Sequence, residues 1–193
     1  MTSAVRQSCF LGLAGLVVLA TILTSTAQKV AVQPKIVEQT EFWVVGIQAR
    51  TTNAKEMSGQ GVIPQMWGRF FKEALQDKIP NKVDSTIYAL YSGYTSDRNG
   101  EYDFMIGARV NAVTGVPAGM VAGKVPAGRY ALVPSATGPV EQVVPAAWRQ
   151  VWEMEDKHTL GGARAYQTDF EVYDQRSQDP KNSQVDVYIG VKR

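Results

Sequence analysis

The chain has 193 residues, a formal net charge of +2 and 45% hydrophobic residues, which fits one globular domain of ordinary size. Contact with nucleic-acid phosphates needs a clear cationic excess, so the near-zero charge speaks against nucleic acid as a partner. A zinc site needs about four Cys or His ligands, and the chain has one of each, Cys9 and His158. We predict no metal site and no other cofactor.

The amino-terminal segment has the layout of an export signal. A polar start with one cation, Arg6, precedes the uncharged run 9–23, and small residues close the segment at Ala27. The run is shorter than a full membrane span of about 20 residues and suits the apolar centre of a signal peptide, although an uncleaved anchor stays open. We therefore expect residues 1–27 to be a signal peptide or membrane anchor, residues 28–39 to be a tether, and the protein to be exported, periplasmic or tethered to a membrane.

Residues 40–193 contain an internal repeat, with two copies of one unit. Three blocks of the first half recur in the same order in the second half, and the spacing between matching blocks drifts by one each time: 63–67 (IPQMW) recurs as 144–148 (VPAAW), 88–91 (YALY) as 170–173 (FEVY), and 103–109 (DFMIGAR) as 186–192 (DVYIGVK). Internal repeats of this kind indicate a duplicated structural unit. We place repeat one at about 40–112 and repeat two at about 119–193.

In the first copy the pattern predicts a strand, a helix and two strands. The β-rich run 42–50 precedes a helix that begins near Pro64, since proline is favoured in the first helical turn. The apolar face of this helix follows the i, i+3, i+4 spacing and comprises Trp67, Phe70, Phe71, Ala74 and Leu75. Strands at 86–94 and 102–110 follow, separated by a turn segment.

The second copy predicts the same order of elements. We expect strands at 120–124 and 129–134, a helix at 145–155, and strands at 165–174 and 184–192. The fold class is therefore α+β, built as a tandem β-α-β-β repeat.

Period-two alternation divides the strand residues between two faces of the sheet. Phe170, Val187 and Ile189 are expected to pack under the helices. We expect the other face to carry Tyr91, Met105, Glu171, Tyr173 and Tyr188. Two copies folded against each other would then enclose an aromatic-lined concavity, which is a common kind of ligand pocket.

Glu171 is the most informative residue of the chain, because its counterpart in the first copy is Ala89. A small apolar residue evidently satisfies the fold at this position, and a partly buried carboxylate is costly unless it finds a partner. Among tyrosines, Glu171 suits a cationic aromatic ligand, or a general acid–base role with a raised pKa. A solvated Glu171, or one paired with Arg109 or Lys192, stays open.

The two helices begin with matching tryptophans, Trp67 and Trp148. Both lie on the apolar face and can serve either the core or a ligand. Trp152 and Phe71 are predicted as core residues by the same spacing.

Several blocks resemble the GyrI-like small-molecule-binding domain, also called the AraC-type effector-binding domain. They are residues 125–131 (VPAGRYA), 147–152 (AWRQVW) and 169–173 (DFEVY), together with the closing strand 185–191. The resemblance implies two antiparallel sheet halves with a helix each around a central pocket. It implies that Glu171 contacts cationic or aromatic ligands there, with Tyr173 and Tyr188 in the pocket wall.

Proteins of this family include transcription regulators, a gyrase inhibitor and stand-alone hydrolases that use the pocket glutamate. This chain shows no helix-turn-helix pattern and begins like an export signal, which speaks against transcriptional control and against gyrase as a partner.

We therefore expect a binding protein for apolar or cationic aromatic small molecules, with an anchoring glutamate between the two repeats. The expected ligand contacts are Glu171, Tyr173, Tyr188, Tyr91, Trp67, Trp148, Tyr130 and Met105. One alternative is a small-molecule hydrolase with Glu171 as the catalytic residue. Another is a protein-interaction module, which predicts an exposed apolar patch in place of a cavity.

Overall fold

The computed structural model describes residues 34–193, and the predicted signal or anchor segment lies outside them. An antiparallel sheet is the centre of the described fold. Its eight strands are β1 (Lys35–Gln39), β2 (Phe42–Thr52), β3 (Lys82–Ser92), β4 (Glu101–Val110), β5 (Val121–Val125), β6 (Gly128–Pro134), β7 (Thr168–Tyr173) and β8 (Asp186–Gly190). The helices are α1 (Asn53–Met57), α2 (Ile63–Lys72), α3 (Leu75–Lys78) and α4 (Val140–Asp156), with a 3-10 turn at Gln175–Ser177.

The strand order shows the duplication directly. It runs β1-β6-β8-β7-β3-β4-β2-β5. Going outward from the central pair β7 and β3, the strands β8 and β4, then β6 and β2, and then β1 and β5 occupy equivalent places. The predicted duplicated α+β fold is thereby confirmed, with α2 and α4 as the equivalent helices.

The two repeats meet at Ala89 and Glu171. The register between β3 and β7 places these two residues directly opposite each other, and Tyr88 opposite Val172. Because Ala89 and Glu171 are also matched by the repeat, the pseudo-two-fold axis passes between them. Opposed residues of neighbouring strands project to the same side of the sheet. The small side chain of Ala89 therefore leaves room for the longer Glu171.

Helices α2 and α4 cover the face of the sheet that carries Glu171. The core on this face joins Ala89 and Val187 of the sheet to Phe70 of α2 and Val151 of α4. Val187 lies directly opposite Glu171 in the register between β7 and β8. Glu171 is therefore on the helix-covered face, contrary to the prediction.

The opposite face of the sheet forms a second apolar cluster, because the sheet curls on itself. Its buried members are Phe42, Val44, Tyr88, Leu90, Met105, Val125, Tyr130 and Phe170. Phe170 lies opposite Tyr188 in the register, and the two rings stack at 4.5 Å. Alternation groups the residues of one strand correctly, but only the register shows which groups of neighbouring strands share a face.

The predicted tether, residues 28–39, ends in a strand. β1 pairs antiparallel with β6, from Lys35 opposite Leu132 to Gln39 opposite Gly128. The sheet therefore begins before residue 40. The strand is a short edge strand with the sequence KIVEQ, which is too short and too polar to give a clear alternation signal.

Both helices differ from their predicted bounds. α4 begins at Val140, before Pro145, because the carbonyl of Pro139 accepts bonds from Gln142 and Val143 and the Val143 side chain is buried. α2 ends at Lys72, and Ala74 takes a left-handed conformation with φ of 48°.

The predicted apolar face of α2 is buried only in part. Phe70 is buried, whereas Phe71 is 62% exposed and stacks on the half-buried Trp67 at 5.7 Å. The prediction of Phe71 as a core residue is therefore wrong. A helix that packs on a sheet buries a narrower stripe of its surface than the i, i+3, i+4 spacing of apolar residues predicted.

Replacing Ala89 by Leu tests the packing at the axis. The larger side chain would compete with Glu171 for the same space, and overpacking of this kind costs about 1–3 kcal/mol. We expect urea denaturation to show a free energy of unfolding lower by that amount. Ser85→Leu, at an exposed position of the same strand, is the control and should change stability by less than about 0.5 kcal/mol. Equal stability of the two variants would contradict the packing described.

Candidate functional site

The carboxylate of Glu171 is buried and held by three neutral donors. Tyr91 donates its hydroxyl to Oε1 at 2.8 Å, and the Trp148 indole Nε1 donates to the same oxygen at 2.5 Å. Tyr173 donates to Oε2 at 2.7 Å. Glu171 is 1% exposed, and no Lys, Arg or His nitrogen within residues 34–193 lies within 4.0 Å of it. The alternatives of a solvated or ion-paired Glu171 are therefore not what the structure shows.

The donors are placed by the duplication. Tyr91 and Tyr173 are equivalent residues of the two repeats, and each reaches a different oxygen of the one carboxylate on the axis. Each tyrosine also packs against the tryptophan of the other repeat's helix, Tyr91 on Trp148 at 4.6 Å and Tyr173 on Trp67 at 4.9 Å. The symmetry breaks at the tryptophans, since the bond from Trp148 to Glu171 has no counterpart from Trp67 among the described residues.

Burial governs the titration of this cluster. Loss of solvent raises the pKa of Glu171, and the hydrogen bonds from Trp148, Tyr173 and Tyr91 offset this only in part. Burial, reinforced by the charge of Glu171, also holds the pKa of Tyr91 and Tyr173 well above the ordinary value. Both tyrosines therefore stay protonated and continue to donate.

A cavity of about 380 Å³ is lined by residues of both helices, at the start of α2 and along α4. Ile63 and Pro64 of α2 and the equivalent Val144 and Pro145 of α4 all line it. Further lining comes from Tyr91, Tyr94, Tyr102, Trp148, Trp152, Arg149, Arg164 and the α1 residues Asn53, Glu56 and Met57. The cavity thus belongs to both repeats, as an inter-repeat pocket should.

Glu171 lies one layer behind the cavity wall. Tyr91 and Trp148 line the cavity, and both donate to Glu171 on their inner side. A hydrogen bond to a carboxylate increases the electron density of an aromatic ring. The lining therefore contains two aromatic rings whose attraction for a cation is increased by the anion behind them.

The other residues predicted for the site fall into two groups. Trp67 and Tyr173 lie on the same face as Glu171 but outside the cavity lining. Tyr188, Tyr130 and Met105 lie on the opposite face of the sheet, in or against the second apolar cluster. The structure therefore does not bring these last three together with Glu171.

Sequence reasoning missed a buried arginine network at the cavity. Arg164 lines the cavity and donates to Asp169 Oδ2 from Nη2 at 2.7 Å, and Tyr94 donates to the same oxygen at 2.8 Å. Glu155 accepts from Arg164 and from Tyr166, and the Tyr166 ring stacks on the guanidinium at 4.4 Å. Burial alone would lower the pKa of Arg164, but Asp169 outweighs it and the pKa is raised, so the arginine stays charged.

One signal in the sequence pointed to this network. Asp169 stands two residues before Glu171 on a buried strand, so the two acids share a face. A buried carboxylate needs donors, and those of Asp169 come from a loop and from the backbone of Gly190. Alternation predicts the face, but it cannot identify a partner supplied by a loop.

The family of the chain follows from comparison with known proteins. The Cass2 model, described as integron-associated effector binding protein, matches residues 35–191. This chain belongs to that family. Small-molecule effector binding is accordingly its general role, and the GyrI-like resemblance is confirmed.

Individual relatives agree with this assignment. YobU of Bacillus subtilis is 32% identical over 149 residues, which cover 77% of this chain and 91% of YobU. The integron cassette protein VCH_CASS2 of Vibrio cholerae is 32% identical, with a TM-score of 0.66 over 83% of this chain and 96% of its own. SAV2435, solved with bound tetraphenylphosphonium, has a TM-score of 0.68 over 83% of this chain and 94% of its own, at 15% identity, which shows the fold alone.

The predicted exported or periplasmic location is wrong. Curated relatives, YobU among them, are named as transcriptional regulators, and regulation of transcription takes place where the chromosomal DNA is. The apolar run 9–23, on which the prediction depended, lies outside the described residues. Within residues 34–193, no helix is both long enough and apolar enough to cross a membrane.

Replacing Glu171 by Gln tests the pKa shift. Because the pKa of Glu171 is raised in the folded state, the native protein keeps this proton over a pH range in which the unfolded chain has released it. The contribution of Glu171 to stability is therefore largest at low pH and falls as the pH rises through that range.

We expect the free energy of unfolding of the wild type, measured relative to Glu171→Gln, to decrease as the pH rises above the ordinary pKa of a glutamate, about 4.3. Urea denaturation at a series of pH values measures it. Glu153→Gln, the same change at an exposed position of α4, is the control. A difference between wild type and Glu171→Gln that stays constant with pH would contradict the raised pKa.

Proposed function

We propose that the chain binds lipophilic aromatic cations in the cavity between its two repeats, with Glu171 as the anchoring charge. The observation that carries this proposal is the buried Glu171 carboxylate, held by neutral donors and without a cationic partner among the described residues. A buried charge without a counter-charge is costly. A bound cation would supply the missing countercharge.

The cavity wall suits the rest of such a ligand. Aromatic and apolar side chains provide most of the lining, with Tyr91, Trp148 and Trp152 among them. Ring faces attract cations as well as apolar groups, most strongly where water is excluded. In this arrangement the cation lies over Tyr91 and Trp148, and Glu171 acts on it through these two rings.

The fold comparison supports the choice of ligand class. SAV2435, which shares the fold, was solved with tetraphenylphosphonium, a lipophilic aromatic cation. This makes tetraphenylphosphonium a rational first probe for the present chain.

The other two candidate functions find less support. A protein-interaction module was expected to show no cavity, and a cavity of about 380 Å³ between the helices counts against it. A hydrolytic base needs a free oxygen that faces water and substrate. Both oxygens of Glu171 already accept hydrogen bonds, and two of its three donors stand between it and the cavity.

Binding of tetraphenylphosphonium to the wild type and to Glu171→Gln tests the proposal. Titration calorimetry should show saturable binding to the wild type, and an affinity lower by about tenfold, or ~1.4 kcal/mol, in the variant. The affinity of the wild type should also rise with pH as Glu171 loses its proton, whereas that of the variant should stay constant.

Two controls show whether a change in affinity comes from the charge of Glu171 and of the ligand or from their shape. Glu153→Gln makes the same change on the exposed side of α4 and should bind like the wild type. Triphenylphosphine oxide, a neutral aromatic molecule, should not distinguish the wild type from Glu171→Gln. Equal affinity of wild type and Glu171→Gln for the cation would overturn the anchoring role of Glu171.

A further inference from the structure

Glu56 is a second carboxylate at the same cavity. It lies in α1, lines the cavity beside Met57, and is half-buried. Its oxygens accept hydrogen bonds from Thr51 Oγ1 at 2.5 Å and from the backbone nitrogens of Val62 at 2.9 Å and Ile63 at 3.3 Å. These bonds fix the carboxylate in place, and they also satisfy orphan N–H groups at the start of α2.

Glu56 shares a specific property with Glu171. All the donors to both carboxylates are neutral, and within residues 34–193 neither carboxylate has a cationic nitrogen within 4.0 Å. The buried guanidinium of the cavity does not neutralise them, because Arg164 is paired with Asp169 and Glu155.

The two carboxylates belong to different walls of the cavity. Glu56 stands with α1 and the start of α2, whereas Glu171 acts through Trp148 of α4 and Tyr91 of the sheet. Tyr102, which also lines the cavity, feels both. Burial raises the pKa of its hydroxyl, the charges of Glu56 and Glu171 raise it further, and the charge of Arg164 partly offsets them. Two carboxylates therefore act at separate positions of the cavity, whose lining also contains Arg149 and Arg164.

We propose that the cavity selects dicationic aromatic molecules, with one positive centre over Tyr91 and Trp148 in front of Glu171 and the second against Glu56. This inference rests on the proposed cation-binding function and adds a specificity residue to it. The ring system of the ligand packs on the aromatic wall. A second cationic group, carried on a side chain, pairs with the preorganised carboxylate of Glu56.

Ethidium and propidium provide a matched pair of probes. Both contain the same phenanthridinium ring, and propidium carries an additional quaternary ammonium on a side chain. Fluorescence titration of the wild-type chain should give an affinity about fivefold higher for propidium, which corresponds to one partly solvated ion pair. In Glu56→Gln this advantage should disappear, while the affinity for ethidium should stay within about twofold of the wild-type value.

Glu56→Gln keeps one side-chain oxygen as an acceptor for the backbone N–H groups at the start of α2, so we expect the local fold to be retained. Glu153→Gln should bind both dyes like the wild type. An equal loss of affinity for both dyes in Glu56→Gln would show that Glu56 only supports the helix, and would overturn the inference.

The wild type alone also decides the question, even if Glu56→Gln fails to fold. If the wild type binds propidium no more tightly than ethidium, the inference is wrong while the proposed function stands. If the wild type binds neither dye and no tetraphenylphosphonium, the proposed function fails and this inference fails with it.

Discussion

A single carboxylate on the pseudo-two-fold axis is the constraint around which this domain is organised. A duplicated sheet brings equivalent residues together at its central strand pair, and here Ala89 and Glu171 share one space. Only one of them can be large. The choice of a glutamate for that one position places a charge in the middle of the core, where it needs donors from all sides. The equivalent tyrosines Tyr91 and Tyr173 supply two of these donors. Two symmetry-related side chains therefore bind the one residue that the duplication does not repeat.

The carboxylate connects the fold to the cavity through its donors. Trp148 and Tyr91 each have one edge bonded to Glu171 and another part of the ring in the cavity wall. Their orientation is therefore set by the hydrogen bonds as well as by packing, and a preorganised wall loses little freedom when a ligand binds. Arg164 also helps to fix the position of Trp148. The Arg164 guanidinium is paired with Asp169 and lies 5.6 Å from the ring centre of Trp148.

Much of the fold and part of the site could be predicted from the sequence. The repeat gave the fold class, the equivalent elements and the contrast between Ala89 and Glu171, because recurring blocks preserve order and spacing. The face of Glu171 could not be predicted, since alternation within β7 is compatible with either face being covered by helices. Tyr188, Tyr130 and Met105 were placed with Glu171 for that reason, and the register separates them. Arg164 could not be predicted because it lies outside the named helices and strands and so belongs to no periodic pattern. Glu56 could not be predicted because two of its three donors are backbone amides, which leave no periodic signal.

For the proposed cation-binding function, the position of Glu171 behind its donors has a consequence for selectivity. A carboxylate exposed in a pocket attracts any cation that fits, hydrated or not, and water screens much of the attraction. A carboxylate that acts through Tyr91 and Trp148 favours cations that can give up their hydration and lie flat on an aromatic face. Large organic cations with delocalised charge meet that condition at little cost, whereas small inorganic cations do not. Under the proposed function, the layer of rings would therefore turn a general electrostatic attraction into a preference for lipophilic cations.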